Sequence, residues 1–140
     1  MKQIEHIGIA VKDLNASNIL YEKLLGKPPY KLEEVITEGV KTSFFEMGTS
    51  KIELLEASNA DSPIAKFIEK RGEGIHHIAY AVEDIVGELK RLQQEGFILL
   101  NEKPKEGADN KWVAFLHPKS TGGVLIELCQ DREIELKEFD

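Results

Sequence analysis

The chain of 140 residues carries 18 Lys plus Arg against 25 Asp plus Glu, a formal net charge of -7, with 41% hydrophobic and 31% charged residues. This is an ordinary globular composition with core enough for one domain; it holds no apolar run of membrane-spanning length, and its acidity disfavours nucleic-acid or anionic-membrane binding through bulk charge. A single cysteine, Cys129, excludes an intramolecular disulfide and a CxxC zinc site, and reads as a packed thiol.

The first segment, IEHIGIAVKDL at 4–14, reads as a strand that runs into an acidic helix cap at Asp13. Its start has no signal-peptide layout, which gives the expectation of a cytoplasmic protein. Leu14, Ile19, Leu20, Leu24 and Leu25 then recur at helical spacing, and Gly26 closes the helix. GVKTSFFEMG and SKIELLEA predict a hairpin turning at Gly48 and Thr49. NADSPIAKFIEKRGEG predicts a connector helix capped by Asp61 or Ser62, with Pro63 in its first turn.

The pattern then begins again. IHHIAYAVEDI at 75–85 lies over residues 4–14 without a gap, which places His77 on His6 and Asp84 on Asp13. Ile85, Leu89 and Leu92 continue as a helix to Gly96, FILLNEKP reads as a strand, and KWVAFLHP and VLIELCQ form a longer-looped pair across KSTGG. KIELL lies over LIELC, placing Glu53 on Glu127. The expected fold is therefore α+β: two tandem β-α-β-β-β modules, about 3–57 and about 74–130, joined by a connector helix at about 61–71. They are expected to form one cupped mixed sheet with helices on its outer face, in a single domain spanning 1–140. The acidic DREIELKEFD reads as a mobile or partner-packed tail.

Strand alternation separates the two neighbouring histidines. His6 shares a face with Gly8 and Ala10, and His77 with Ala79 and Ala81, whereas His76 falls with Ile78, Tyr80 and Val82 and reads as an ordinary core or surface residue. Helices must cover the bulky faces, so the small-residue faces bearing a histidine border a cavity. Glu53 and Glu127 each stand between apolar neighbours, where a carboxylate is costly unless paired or metal-bound. His6, Glu53, His77 and Glu127 together read as ligands of one divalent cation, an open octahedral nitrogen and oxygen site suited to Co, Mn, Ni, Fe or Zn.

These residues carry a family likeness. The paired modules with histidine and glutamate at these positions resemble the vicinal oxygen chelate superfamily, and HIGIAVKDL, KIELLEA, DSPIAKFIEKRGEGIHHIAY and FLHPKSTGGVLIEL resemble the methylmalonyl-CoA epimerases within it. The likeness covers nearly the whole chain. It implies His6, His77 and Glu127 as metal ligands, with Glu53 where the family has Gln or Glu. It also implies an acyl-CoA substrate, a homodimer, and epimerisation at C2 through an enolate; Glu127 is the first choice of proton-transfer base, because a carboxylate at the metal can shift its oxygen toward the substrate. For the other face of C2, Glu53 and Glu46 are both candidates. Lys119 and Ser120 in HPKSTGG are candidate coenzyme A contacts, and His117, fixed before Pro118, reads as structural.

Two positions depart from the family pattern. The chain has Asp109 and Asn110 where a Gly-Gly pair is common, and Thr42 where some members carry a glutamate. A glyoxalase I-type isomerase on the same scaffold and a non-catalytic small-molecule-binding protein are the competing readings. DSPIAKF with HPKSTGG favours coenzyme A over glutathione, and a complete ligand set favours an enzyme over a binding module.

Overall fold

The computed structural model describes residues 1–137. They form two compact units, residues 6–76 and, together, residues 1–5 with those from 77 onward. Strand β1 (Gln3–Ala10) thus begins in one unit and continues into the other, and the backbone N–H of Lys2 donates to the carbonyl of Ala81 at 2.9 Å.

In the first unit, helix α1 (Leu14–Leu25) follows β1, and strands β2 (Lys31–Val35), β3 (Val40–Met47) and β4 (Ser50–Ala57) complete a β-α-β-β-β copy. The strand order is β2-β3-β4-β1, with β1 parallel to β4. Asp13 caps α1 by accepting from the Ala16 N–H at 3.1 Å, and Gly26 ends it in the left-handed conformation (φ 79°). The hairpin turns where the sequence predicts: Met47 pairs with Ser50, with Gly48 at φ 63° between them. Tyr21 and Leu25 of α1 pack with Val11, Leu14, Phe45 and Leu54, covering the bulky face of β1.

The connector helix α2 (Pro63–Arg71) is capped by Ser62, whose hydroxyl accepts from the Ile64 N–H at 3.1 Å; the Asp61 N–H instead donates to the Asn59 side chain at 2.9 Å. Ile64, Phe67 and Ile68 pack on Ala10, Val40 and Leu55. The strand register puts those three residues on the same face as His6 and Glu53. So α1 covers the bulky face, while α2 closes one end of the histidine-bearing face.

The second unit repeats the plan with β5 (Gly74–Ala81), α3 (Ile85–Gln94), β6 (Lys105–Gly107), β7 (Lys111–Leu116) and β8 (Ile126–Asp131), in the order β5-β8-β7-β6 with β5 parallel to β8. Asp84 caps α3 through the Gly87 N–H at 3.1 Å. Ile85, Val86, Leu89 and Leu92 pack on Val82, Ala114, Leu116 and Leu128, and each fully buried aliphatic side chain contributes about 1.5 to 3 kcal/mol.

Two expectations are corrected here. FILLNEKP is not a strand: it makes one isolated bridge, Leu99 to Leu116, and β6 starts only at Lys105. Leu100 N–H donates to the Phe115 carbonyl at 2.8 Å, but the Phe115 N–H is then taken by the Asn101 side chain at 2.9 Å, which ends the ladder. The C-terminal stretch as far as Lys137 is also no loose tail. Leu136 packs on the α3 cluster, the Gln130 amide donates to the Ile134 carbonyl at 3.1 Å, and Arg132 stacks 5.2 Å over Trp112. Residues 138–140 of that expectation lie outside the described residues.

Asp109 and Asn110 have a structural explanation. Both adopt positive φ, 56° and 57°, in the loop between Gly107 and its partner Lys111. The turn needs two left-handed residues, which glycine supplies freely and Asp or Asn tolerates. Among the described residues no helix is long and apolar enough to cross a membrane.

Replacing Asn110 with Ala is expected to lower unfolding free energy by about 1 kcal/mol, whereas Asn110→Gly should leave it unchanged or raise it. Urea unfolding of the two variants against the parent reads this difference.

Candidate metal centre and substrate face

In each unit one histidine meets one glutamate. On β1 and β4 the register places Gly8 opposite Glu53, two residues beyond His6 on the same face, and the His6 Nδ1 lies 3.0 Å from the Glu53 carboxylate. On β5 and β8, Ala79 is opposite Glu127, and the His77 Nε2 lies 2.9 Å from the Glu127 carboxylate. Both pairs are buried, with side-chain exposures of 5% and 6% in the first and 6% and 8% in the second. The four residues singled out in the sequence thus form two matched pairs, one per unit.

The small residues beside each histidine make this possible. Gly8 and Ala79 stand across from the glutamates, leaving width for a carboxylate to turn back toward the imidazole. A buried carboxylate is tolerated only with such a partner, since its desolvation costs several kcal/mol. Two imidazoles and two carboxylates also suit a divalent cation of intermediate hardness, and among the four there is no thiolate to impose a closed zinc geometry.

Around each glutamate the structure adds residues that the sequence reading missed. Phe44 pairs with Glu53 across β3 and β4, and Phe115 pairs with Glu127 across β7 and β8. Phe115 meets the His77 ring edge-on at 5.9 Å. Sliding VKTSFFEM over KWVAFLHP would have found this second duplication, because Phe44 and Phe115 fall in register. Lys31 and Lys51 sit 5.6 Å and 5.8 Å from the Phe44 ring, and the Lys51 ammonium is 3.9 Å from Glu53.

The remaining candidates separate clearly. Glu46 is exposed at the end of β3 opposite Lys51, away from the buried pair. Thr42 is buried on the Glu53 face, and its hydroxyl has no hydrogen-bond partner among the described residues. His76 packs edge-on against Phe67 at 4.9 Å, as expected of an ordinary packed residue. His117 caps the short turn Pro118–Ser120 by accepting from the Lys119 N–H at 3.0 Å. Ser120 is held inside that loop: its hydroxyl accepts from the Ile98 N–H at 3.1 Å and donates to the His117 carbonyl at 2.9 Å. The Lys119 side chain, by contrast, is exposed on this fixed turn.

A family model for the glyoxalase/bleomycin resistance protein/dioxygenase superfamily matches residues 5–115. The chain belongs to that superfamily. It is 42% identical over 130 residues to the ethylmalonyl-CoA/methylmalonyl-CoA epimerase of Cereibacter sphaeroides, covering 91% of this chain and 97% of that one. It is 39% identical over 129 residues to the human mitochondrial methylmalonyl-CoA epimerase, covering 91% of this chain and 73% of the other. A solved methylmalonyl-CoA epimerase in complex with methylmalonyl-CoA and ammonium superposes with a TM-score of 0.91 at 32% identity, over 98% of this chain and 99% of that one. The expected glyoxalase-like α+β fold is therefore established, and the chain's relatives include epimerases.

Ser120→Ala removes a half-buried loop staple and is expected to cost about 1 kcal/mol of stability, while Lys119→Ala should leave stability within about 0.5 kcal/mol of the parent. Denaturation midpoints of the two variants test this contrast.

Proposed function

We propose that this chain epimerises methylmalonyl-CoA at C2 in a metal-dependent reaction, with one divalent ion held by His6, Glu53, His77 and Glu127. The observation that carries this reading is the duplication of a buried histidine–glutamate pair, one in each unit, at matched positions. Homology to epimerases over nine-tenths of the chain supports the substrate.

What a divalent ion supplies when bound is Lewis-acid stabilisation of the negative charge that develops on the thioester oxygen. The protein's own residues do the rest. Glu127 takes the proton from C2; its carboxylate is buried, with Phe115 opposite it in register and His77 at 2.9 Å. Glu53, its counterpart in the repeat, returns a proton to the other face; it is buried, whereas Glu46 is exposed. Phe44 beside Glu53 and Phe115 beside Glu127 give each glutamate a flat apolar neighbour, and the Thr42 hydroxyl offers one hydrogen bond to a bound acyl group. Lys119 supplies a cation for the phosphates of coenzyme A, and Ser120 fixes the loop that carries it. The family resemblance extends this reading to a homodimer.

The decisive experiment incubates cobalt- or manganese-loaded protein with methylmalonyl-CoA in D2O and follows deuterium at C2 against a metal-stripped control. Metal-dependent exchange should fall at least about a hundredfold in His77→Ala, in keeping with loss of a ligand. Absence of exchange from protein that does bind the metal overturns the epimerase reading. Lys119→Ala should raise KM for the thioester several-fold and leave kcat unchanged, which marks binding made equally in ground and transition states.

A further inference from the structure

The two buried glutamates are not equivalent, and the difference lies two residues further along each strand. In the first unit that position is Leu55, 6% exposed and packed under α2 with Ala10, Val40 and Ile64. In the second it is Cys129, 1% exposed, on the same face of β8 as Glu127. The Cys129 thiol donates to the Glu127 Oε2 at 3.2 Å, while the Oε1 of the same carboxylate faces His77 at 2.9 Å. Residues two apart on a strand are separated by roughly 6.6 to 6.8 Å along the chain. A contact of 3.2 Å therefore requires the carboxylate to lean toward the thiol.

Cys129 packs with Ala79 and Val113, which accounts for its burial but not for a thiol at this position. The matching position in the first unit is filled by a larger apolar side chain beneath a helix. In the second unit the region beside Cys129 instead opens onto a polar recess of about 260 Å³, lined also by Lys2, Glu5, Lys111 and Asp131. A purely structural residue bordering such a recess needs no particular donor; one that must hold a single carboxylate oxygen does.

We propose that Cys129 is a positioning residue for Glu127. Its thiol holds Oε2 so that Oε1 alone is presented beside His77, fixing one-oxygen ligation of the divalent ion. This rests on the reading of Glu127 as a ligand given above. A thiol is a weak donor, so it orients the oxygen while leaving most of its capacity to accept a proton. Groups that hydrogen-bond to metal-ligating carboxylates typically alter metal affinity or activity by 10- to 100-fold when removed. Glu53 has no such donor at the matching position, where Leu55 stands, and is approached instead by the Lys51 ammonium at 3.9 Å.

The test compares Cys129→Val, which fills the space and removes the donor, with Cys129→Ser, which keeps a donor. The full-length protein, stripped of metal, is titrated with cobalt and followed by calorimetry and by the cobalt absorption spectrum, with thermal unfolding of the metal-free forms as a control. The expected result is roughly tenfold weaker cobalt binding and an altered spectrum in Cys129→Val, restored to within about threefold in Cys129→Ser, with metal-free unfolding temperatures that agree. Wild-type affinity and spectrum in Cys129→Val, or a Cys129→Ser variant as impaired as Cys129→Val, overturns the proposal. Failure of the proposed function is distinguishable from this. A parent protein that binds cobalt without exchanging C2 protons loses the epimerase reading but still reports on Cys129, whereas a parent that binds no cobalt loses the ligand set and the positioning role with it.

Discussion

A carboxylate in the middle of an apolar strand is the constraint on which this structure turns. Its desolvation costs several kcal/mol unless a partner is held at close range. The chain meets that requirement twice, at Glu53 and Glu127, with an imidazole about 3 Å away in each case. Much else follows from it. The first strand of each repeat carries Gly8 or Ala79 next to its histidine because a larger residue would occupy the space into which the carboxylate turns. The bulky alternates, Ile9 and Val11 in one copy and Tyr80 and Val82 in the other, lie on the opposite face and take α1 and α3. Chemistry and core are thus written on alternate residues of the same strands.

Burial on both faces gives the site its rigidity. Each strand that carries one of these histidines or glutamates is braced by a helix behind it, and the glutamate-bearing strands β4 and β8 lie between two neighbours. An aromatic ring is paired with each glutamate from the adjacent strand. Residues held this way lose little further freedom on binding, which is what the proposed proton transfer next to a thioester requires of them.

The repeat made most of this legible in sequence. His77 was separable from His76 by strand parity alone, and the aspartate caps of α1 and α3 stand where the pattern changes from period two to helical spacing. What escaped was set by single hydrogen bonds. FILLNEKP has the composition of a strand, yet Asn101 accepts the Phe115 N–H that the ladder needs, so pairing stops after Leu100. Asp109 and Asn110 looked like a departure from a glycine pair, but φ shows that they meet the same backbone demand by other means. The link from Cys129 to Glu127 was hidden because a lone cysteine in an apolar strand has no signature of its own; only the geometry shows which atom its thiol faces. Likewise the role of Ser120 as a loop staple rests on Ile98, distant in sequence.

The position of α2 bears on how the two halves of the repeat diverge. In the first half the connector lies over Ala10, Val40 and Leu55, so any change at those sites must still fit beneath a helix. The equivalents in the second half, Ala81, Lys111 and Cys129, border a recess instead, and two of the three have become polar or reactive side chains. A duplicated chain has only one connector to place, and here the copy left without it is the one that carries a thiol and an ammonium group beside Glu127 and the recess. Asymmetry of function within a symmetric ancestor then begins with something as ordinary as the linker that joined its halves.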